Sequence, residues 1–150
     1  WQFMKAAGFR MVLFGIESAN QKTLDLIGKG INVNDIIPTL KSAAKAGLEP
    51  HIAVMFGYPW EKDEDSANTL RLVHYLLRKG YAKTAQASFY TPKRGESNES
   101  ASKYIRKIYE VAYYPDFWWR KFSEIRTRND ISYLFKSIQA GLKSRASGKD

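Results

Sequence analysis

Two polar residues, Glu17 and Ser18, directly follow a short apolar run in the first tenth of the chain. The run Met11–Phe14, closed by Gly15, is predicted to be a strand buried on both faces. In βα barrels, the side chains at the carboxyl ends of such strands bind ligands. A carboxylate there can accept hydrogen bonds from ribose hydroxyls or from an ammonium group, and a serine can donate one. By themselves, Glu17 and Ser18 fit either a ligand site or a helix cap beside a neighbouring base.

Thiolate chemistry is excluded within these 150 residues, because the sequence contains no cysteine. The two histidines, His51 and His74, are far apart in the sequence and have no carboxylate at ligand spacing, so a zinc site is not expected. No catalytic residue and no metal ligand is assigned to the chain. No apolar run reaches the roughly 20 residues that a membrane-spanning helix needs, and we expect a reducing, cytoplasmic setting.

Strand and helix patterns alternate along the first half of the chain. Met11–Phe14, Ile52–Phe56 and Ala85–Tyr90 are predicted strands. Asn20 and Asn34 are expected to cap the next two helices, which places Pro38 near a first turn. This alternation predicts parallel strands with helical crossovers, and hence an α/β fold that forms part of a TIM-like (βα) barrel.

The last third of the chain carries only helical patterns. Tyr104, Ile108 and Val111 mark one helix, Pro115 can begin another, and a final one is expected from Asn129 or Asp130 to Leu142. We therefore divide the chain into a half barrel at 1–97, a helical extension at 98–143 and a disordered tail at 144–150. A half barrel leaves one strand face bare, so the chain is expected to self-associate.

The stretch Gly15-Ile16-Glu17-Ser18 is followed by Lys29-Gly30, and the motifs Gly57-x-Pro59-x-Glu61 and Pro92-x-x-Gly95 come later in the chain. Together these motifs resemble the radical SAM enzymes, especially the branch related to the Mg-protoporphyrin IX monomethyl ester oxidative cyclase and to cobalamin-binding members. The first stretch resembles the fourth-strand region of that family. Gly57-x-Pro59-x-Glu61 is similar to the loop after its fifth strand, and Pro92-x-x-Gly95 to the turn after its sixth. The helical segment from Tyr104 to Leu142 also looks like the one that follows the barrel in the cyclase-like branch.

The resemblance implies S-adenosyl-L-methionine (SAM) and a 4Fe–4S cluster as cofactors. Glu17 and Ser18 would line the SAM site, Met55 and Phe56 would flank the adenine, and Gly57 and Pro59 would shape the same pocket. For Met55 and Phe56, plain core packing remains the alternative. In the whole enzyme, the resemblance implies SAM cleavage for radical chemistry or cobalamin-assisted methyl transfer on an unidentified small molecule, with cobalamin in a separate upstream domain.

The sequence departs from the family pattern in three ways that affect function. The stretch between Thr91 and the helix marked by Tyr104 is short, which trims a region that often reaches the substrate in the family. Trp60 stands where the family has a glycine before the glutamate, which changes the expected shape of the substrate side. The Cys-x-x-x-Cys-x-x-Cys loop is absent, so these residues cannot hold the cluster and the chain alone is expected to be inactive.

A basic RNA-binding module is the alternative function, with a ligand-free scaffold for partner chains as a third option. The formal net charge is +9, which favours polyanions. The residues considered for RNA are Lys93, Arg94, Arg120, Lys121, Arg126 and Arg128 beside Tyr113, Trp118 and Trp119. These aromatic residues fall at helical spacing, which is more typical of a core than of base stacking, so RNA is not the favoured partner.

Overall fold

A computed structural model of the protein describes residues 1–90, 99–123, 125, 131–132 and 135. Its strands are β1 (Met11–Glu17), β2 (Glu49–Phe56) and β3 (Thr84–Phe89). Its helices are α1 (Gln2–Ala6), α2 (Gln21–Leu26), α3 (Val33–Lys45), α4 (Asp63–Lys79), α5 (Glu99–Ile108) and α6 (Pro115–Ser123), with a 3₁₀ turn at Tyr109–Tyr113 between the last two.

The three strands form one parallel sheet in the order β1-β2-β3. Gly15 pairs with Ala53, and Ala53 pairs with Gln86, so the carboxyl ends of all three strands meet at one edge. Parallel strands followed by helices confirm the predicted α/β class. The division proposed at residue 97 and the Pro92–Gly95 turn lie outside the described residues.

The core lies on one face of the sheet, where the helices pack. Ile52, Val54 and Phe56 alternate along β2 and are completely or almost completely buried on that side. Helices α3 and α4 cover them with residues such as Leu40 and Leu76. Helix α5 joins the same layer, because Tyr104 stacks on Phe56 with ring centroids 5.6 Å apart.

The opposite face of the sheet, which we call the open face, is much less covered. It carries Met11 and Leu13 of β1, whose exposed fractions are 54% and 64%, and the half-buried Met55 of β2. Parallel sheets in α/β proteins normally have both faces covered. The open face therefore fits the expected self-association, which stays a prediction.

Local details of the first helices differ from the sequence expectations. Asn32, not Asn34, caps α3: its side-chain oxygen accepts a hydrogen bond of 2.9 Å from the backbone N–H of Asn34. The helix thus begins earlier than expected and Pro38 lies inside it. Asn20 occupies the N-cap position of α2 as expected, but its side chain makes no capping hydrogen bond and instead donates to Ser18 and to the Asp65 carbonyl. Helix α1 was not predicted from the sequence, and it contains no buried residue.

Helix α4 follows its sequence signals closely. Three acidic residues occupy its first turn, Arg78 and Lys79 its last, and Gly80 ends it in the left-handed conformation with φ +72°. Pro115 begins α6 as expected. Of the last predicted helix, Ile131, Ser132 and Phe135 are described and are helical. Within the described part of the chain, no helix is long and apolar enough to cross a membrane.

Candidate ligand site at the carboxyl edge of the sheet

Glu17, the last residue of β1, has an unusual backbone conformation. Its φ of +54° is the one positive value at a non-glycine residue among the described part of the chain. The adjacent N–H of Ser18 bonds to the carbonyl of Ile16 at 2.6 Å, which closes a tight turn. Such conformations cost on the order of 1–3 kcal/mol and persist where surrounding contacts hold them, often at ligand sites. The turn marks the edge at which βα folds bind ligands.

The carboxylate of Glu17 is held on the open-face side by an ion pair. Nζ of Lys29 lies 2.9 Å from its Oε1, and both side chains are partly exposed. Gly15 lies beneath this pair: a Cβ there would be 2.7 Å from Oε1 of Glu17 and 2.8 Å from Nζ of Lys29. The missing side chain at Gly15 therefore provides the space that the ion pair occupies.

The hydroxyl of Ser18 is buried and already bonded. It donates to Oε1 of Glu61, in the loop between β2 and α4, at 2.8 Å. It also accepts hydrogen bonds from the backbone and side-chain nitrogens of Asn20, at 3.2 and 3.0 Å. In this conformation Ser18 fixes the turn after β1, and the carboxylate of Glu17 remains the partly exposed group.

Glu61 gathers several donors on a single carboxylate oxygen. Besides Ser18, the hydroxyl of Thr23 donates to Oε1 at 2.8 Å and the side-chain amide of Asn20 at 3.3 Å. The other oxygen, Oε2, is buried and has no hydrogen-bond partner. Three donors on one acceptor join the turn after β1, the start of α2 and the β2–α4 loop into one unit.

Helix α4 supports the same turn through Thr69. The buried Thr69 hydroxyl accepts a hydrogen bond of 3.0 Å from the backbone N–H of Ala19 and donates to the Asp65 carbonyl at 3.2 Å. The Asn20 side chain donates to the same carbonyl at 3.0 Å. The residues that flank Glu17 are therefore anchored on a rigid helix, which holds the carboxylate in place.

Three aromatic residues form a wall beyond the carboxyl ends of β2 and β3. Tyr58 stacks on Trp60 with centroids 5.2 Å apart, and Tyr90 lies 5.3 Å from Tyr58. Burial raises the pKa of Tyr58 to about 12, and the nearby charges of Glu17 and Glu61 add to the effect. Tyr58 is therefore a neutral phenol at ordinary pH. The Nε1 of Trp60, at the position that departs from the family pattern, is buried without a hydrogen-bond partner.

The remaining expected site residues are divided between the two faces of the sheet. Met55 lies on the open face, in register with Ser88 of β3. Phe56 lies on the helix-covered face and packs against Tyr104, as the core alternative expects. Gly57 follows with φ +83°, a conformation that favours glycine, and Pro59 is exposed in the same loop. Met55, Gly57 and Pro59 thus lie along the edge that holds Glu17, whereas Phe56 supports it from beneath.

Sequence reasoning did not select Glu61, Lys29, Asn20 or Thr23 as site residues. Glu61 and Lys29 are part of two motifs described above, Gly57-x-Pro59-x-Glu61 and Lys29-Gly30, so these motifs could have identified both residues as site candidates. The roles of Asn20 and Thr23 depend on contacts across about 40 residues of chain. Spacing along the sequence does not reveal such contacts.

Among the residues considered for RNA, Arg120 and Trp118 make structural contacts, whereas Trp119 is 81% exposed. Arg120 donates to the carbonyl of Leu77 at 2.7 Å, and the Trp118 indole N–H donates to the carbonyl of Ala112. These contacts attach α6 to the end of α4 and to the 3₁₀ turn before it. Lys93, Arg94, Arg126 and Arg128, and the side chain of Tyr113, lie outside the described residues.

Comparison with known proteins relates the segment that carries this site to one family. The family model described as the radical SAM superfamily matches residues 1–73. An uncharacterized methyltransferase of Pyrococcus horikoshii is 38% identical over 73 residues, 49% of this chain and 16% of the relative. One uncharacterized protein of Methanocaldococcus jannaschii is 32% identical over 62 residues, which is 41% of this chain and 19% of the relative. A second uncharacterized protein of the same organism is 26% identical over 65 residues, which is 43% of this chain and 13% of the relative.

The chain thus spans less than a fifth of the length of each of these relatives. The matched segment includes β1, the Glu17–Lys29 pair, β2 and the Gly57–Glu61 loop, which together form the carboxyl edge. Two of the three motifs that resemble radical SAM enzymes lie within the segment that the family model matches, and Pro92-x-x-Gly95 lies beyond it. The half of the chain that carries the candidate site is similar to the radical SAM superfamily.

Proposed function

We propose that this chain is part of a radical SAM enzyme and that its sheet edge contributes to the SAM site. The single observation that carries the proposal is the carboxylate of Glu17. It is held at the carboxyl end of a parallel strand by a strained turn, a lysine pair and a network that ends on Glu61. The radical SAM match over residues 1–73 supports the same assignment.

The residues present fit SAM. The partly exposed carboxylate of Glu17 would accept hydrogen bonds from the ribose hydroxyls, since an ionised carboxyl is an acceptor only. Met55 and the backbone at Gly57 would border the adenine, because a glycine allows close approach of a planar ring. Ser18, Asn20 and Glu61 would keep the carboxylate in place, and Phe56 would support the strand from the core side. SAM would supply the transferable group or the radical precursor.

The residues present do not fit the 4Fe–4S cluster. Such clusters are held by cysteine thiolates, and the 150 residues contain none. Within the described residues, no group of three or more His, Asp or Glu side chains is arranged to hold a metal ion. In the proposal, cluster ligands belong to other parts of the enzyme, and this chain binds and orients SAM.

For the reaction class we favour methyl transfer over oxidation. The Pyrococcus relative is named as a methyltransferase, and that name supports the choice for this chain. Neither the family description nor the relatives' names mention cobalamin, so the proposal does not include it. The substrate would approach the aromatic wall of Tyr58, Trp60 and Tyr90, which borders the same edge.

The proposal is tested on the intact gene product. After anaerobic iron–sulfur reconstitution, we expect about four irons per protein and SAM-derived product, 5′-deoxyadenosine or a methylated acceptor, that requires reductant. Glu17→Ala should leave the iron content unchanged and lower product formation by at least about tenfold, because a charge-assisted hydrogen bond is lost. An intact protein that holds no iron and leaves SAM unchanged would show that the resemblance concerns the fold alone.

A further inference from the structure

The outer surface of the helical layer carries cations and aromatic rings side by side. Helix α4 presents Arg71, His74, Tyr75, Arg78 and Lys79, and neighbouring segments add Lys41, Tyr81 and Tyr114. We call these eight residues the basic–aromatic belt. The belt lies on the helical layer, whereas Glu17 lies at the edge of the sheet.

The belt lies in a strongly basic part of the sequence. Residues 66–95 contain no aspartate or glutamate, although they include Arg71, Arg78 and Lys79. The acidic residues of α4, at 63–65, occupy its opposite end, about two turns of helix before Arg71. Asp116 of α6 binds Arg78, so part of that charge is neutralised. The second half of α4 itself therefore carries only positive charges.

One end of the belt is an open cavity. Its volume is about 410 Å³, and it is lined by Arg71, His74, Tyr75, Arg78, Lys79 and Tyr114. The guanidinium of Arg78 lies 4.3 Å from the Tyr114 ring centroid and bonds to both oxygens of Asp116, at 3.1 and 2.9 Å. Contact with Asp116 raises the pKa of Arg78, which keeps its charge. The cation and the ring are thus fixed relative to each other before any ligand binds.

The other end of the belt continues the alternation of charge and ring. Tyr75 packs edge-on against Tyr81 with centroids 6.2 Å apart, and Nζ of Lys41 lies 5.9 Å from the Tyr81 centroid. Tyr75 and Tyr114 expose 40% and 39% of their surface, unlike the core residue Tyr104. Tyr75 is therefore accessible for stacking and is not required to fill the core, whereas Tyr114 is covered on one side by the Arg78 guanidinium.

We propose that the belt binds single-stranded nucleic acid. Arg71 and Lys79 would contact phosphates, and Tyr75 would stack on an unpaired base beside the Arg78–Tyr114 pair. Positive grooves with interspersed aromatic faces recognise single strands in this way. The exposed tyrosine ring favours nucleic acid over a sulfated polysaccharide, because a polysaccharide has negative charges but no aromatic bases to stack on the ring. The inference does not depend on SAM binding, since the belt lies on the helical layer and, within the described residues, is linked to the Glu17 edge only indirectly, through Arg71, which donates to Asn68, and Asn68, which donates to Asn20.

The experiment measures binding of the intact protein to fluorescent oligouridine and oligothymidine as a function of salt, with heparin as a competitor. Arg71→Ala combined with Lys79→Ala removes two belt cations. Lys5→Ala combined with Lys22→Ala removes the same charge from exposed lysines of α1 and α2, and is the matched control. Tyr75→Ala removes a stacking ring, and Tyr75→Phe retains it. Circular dichroism confirms that each variant is folded.

The proposal predicts that the belt double variant binds at least about tenfold more weakly, with a salt slope reduced by about 1.4, whereas the control pair changes affinity by less than about threefold. Tyr75→Ala should lower the affinity for the oligonucleotides about tenfold, and Tyr75→Phe should change it little. Similar loss for RNA and DNA supports a general single-strand site, and a larger loss for RNA supports an RNA site. Equal losses in the two double variants, an unaffected Tyr75→Ala, or no binding of either strand would overturn the proposal.

Discussion

Ser18 and Glu61 are 43 residues apart in the chain, and the hydroxyl of Ser18 donates a hydrogen bond of 2.8 Å to Oε1 of Glu61. This contact ties the end of β1 to the loop that leaves β2. Thr23 and Asn20 bond to the same oxygen, so the site edge is held by one carboxylate. Glu61 is therefore a positioning residue for Glu17, which directly precedes Ser18.

Removal of the Glu61 carboxylate should destabilise the fold. Glu61→Ala leaves the Ser18 and Thr23 hydroxyls without this acceptor, whereas Asn20 keeps the Asp65 carbonyl. Each buried unsatisfied group costs about 1–3 kcal/mol. We expect a loss of about 3 kcal/mol in the free energy of unfolding, measured by urea denaturation. Glu64→Ala, at an exposed position in the first turn of α4, is the control and should cost less than about 1 kcal/mol. Equal costs would contradict the role of Glu61.

The space above Gly15 should matter more for ligand binding than for stability. In Gly15→Ala, the new methyl group would clash with the ends of the Glu17 and Lys29 side chains, which are flexible and can move. We expect a melting temperature within about 4 °C of wild type and SAM binding by the intact protein at least about tenfold weaker. Unchanged SAM affinity would show that the ion pair does not need its present position.

Two buried tyrosines should make stability fall at high pH. Burial raises the pKa of both Tyr58 and Tyr104 to about 12, whereas an unfolded tyrosine ionises near 10. The raised values favour the folded state fully below about pH 10, and this stabilisation is lost as pH rises from about 10 to about 12. Urea midpoints across that range should decline, and less steeply in Tyr58→Phe. A spectroscopic titration in which all tyrosines ionise near pH 10 would contradict this.

The open face should cause the 150-residue chain to associate. Leu13 and Met11 expose apolar surface on that face, and burial of such surface favours self-association. Leu13→Lys should shift the protein toward monomer in light scattering at high concentration. Leu26→Lys is a matched control, because Leu26 is similarly exposed on α2, and it should have little effect. A wild-type chain that is already a clean monomer would refute the expectation.

The sequence predicted those elements whose signals are local. Helix α4 has acids at its start, bases at its end and a terminal glycine, and these features act within a few residues. The three strands were recognised from continuous apolar runs. The start of β1 and the end of β2 were correct, and the other four strand boundaries moved by one to three residues. The start of α3 was misplaced because Asn32 and Asn34 are both good capping residues and only the geometry selects between them.

The site was predictable in position but not in its contacts. Glu17 and Ser18 were placed at the end of β1, where the structure has them. That Ser18 is bonded to Glu61, and not directed to a ligand, depends on a contact between distant segments. The pairing of Glu17 with Lys29 above Gly15 likewise depends on the turn at Glu17. The sequence does not predict this turn, because a glutamate rarely adopts a positive φ.

The most direct test of the central claim compares two glutamates at opposite ends of the sheet. Glu17 pairs with Lys29 at the carboxyl edge, and Glu49 pairs with Arg10 at the amino end, at 3.2 Å. SAM affinity of the reconstituted intact protein is measured by isothermal titration calorimetry for wild type, Glu17→Ala and Glu49→Ala. We predict at least about tenfold weaker binding for Glu17→Ala and unchanged binding for Glu49→Ala. Equal affinity in all three proteins would contradict the assignment of Glu17 to a SAM site.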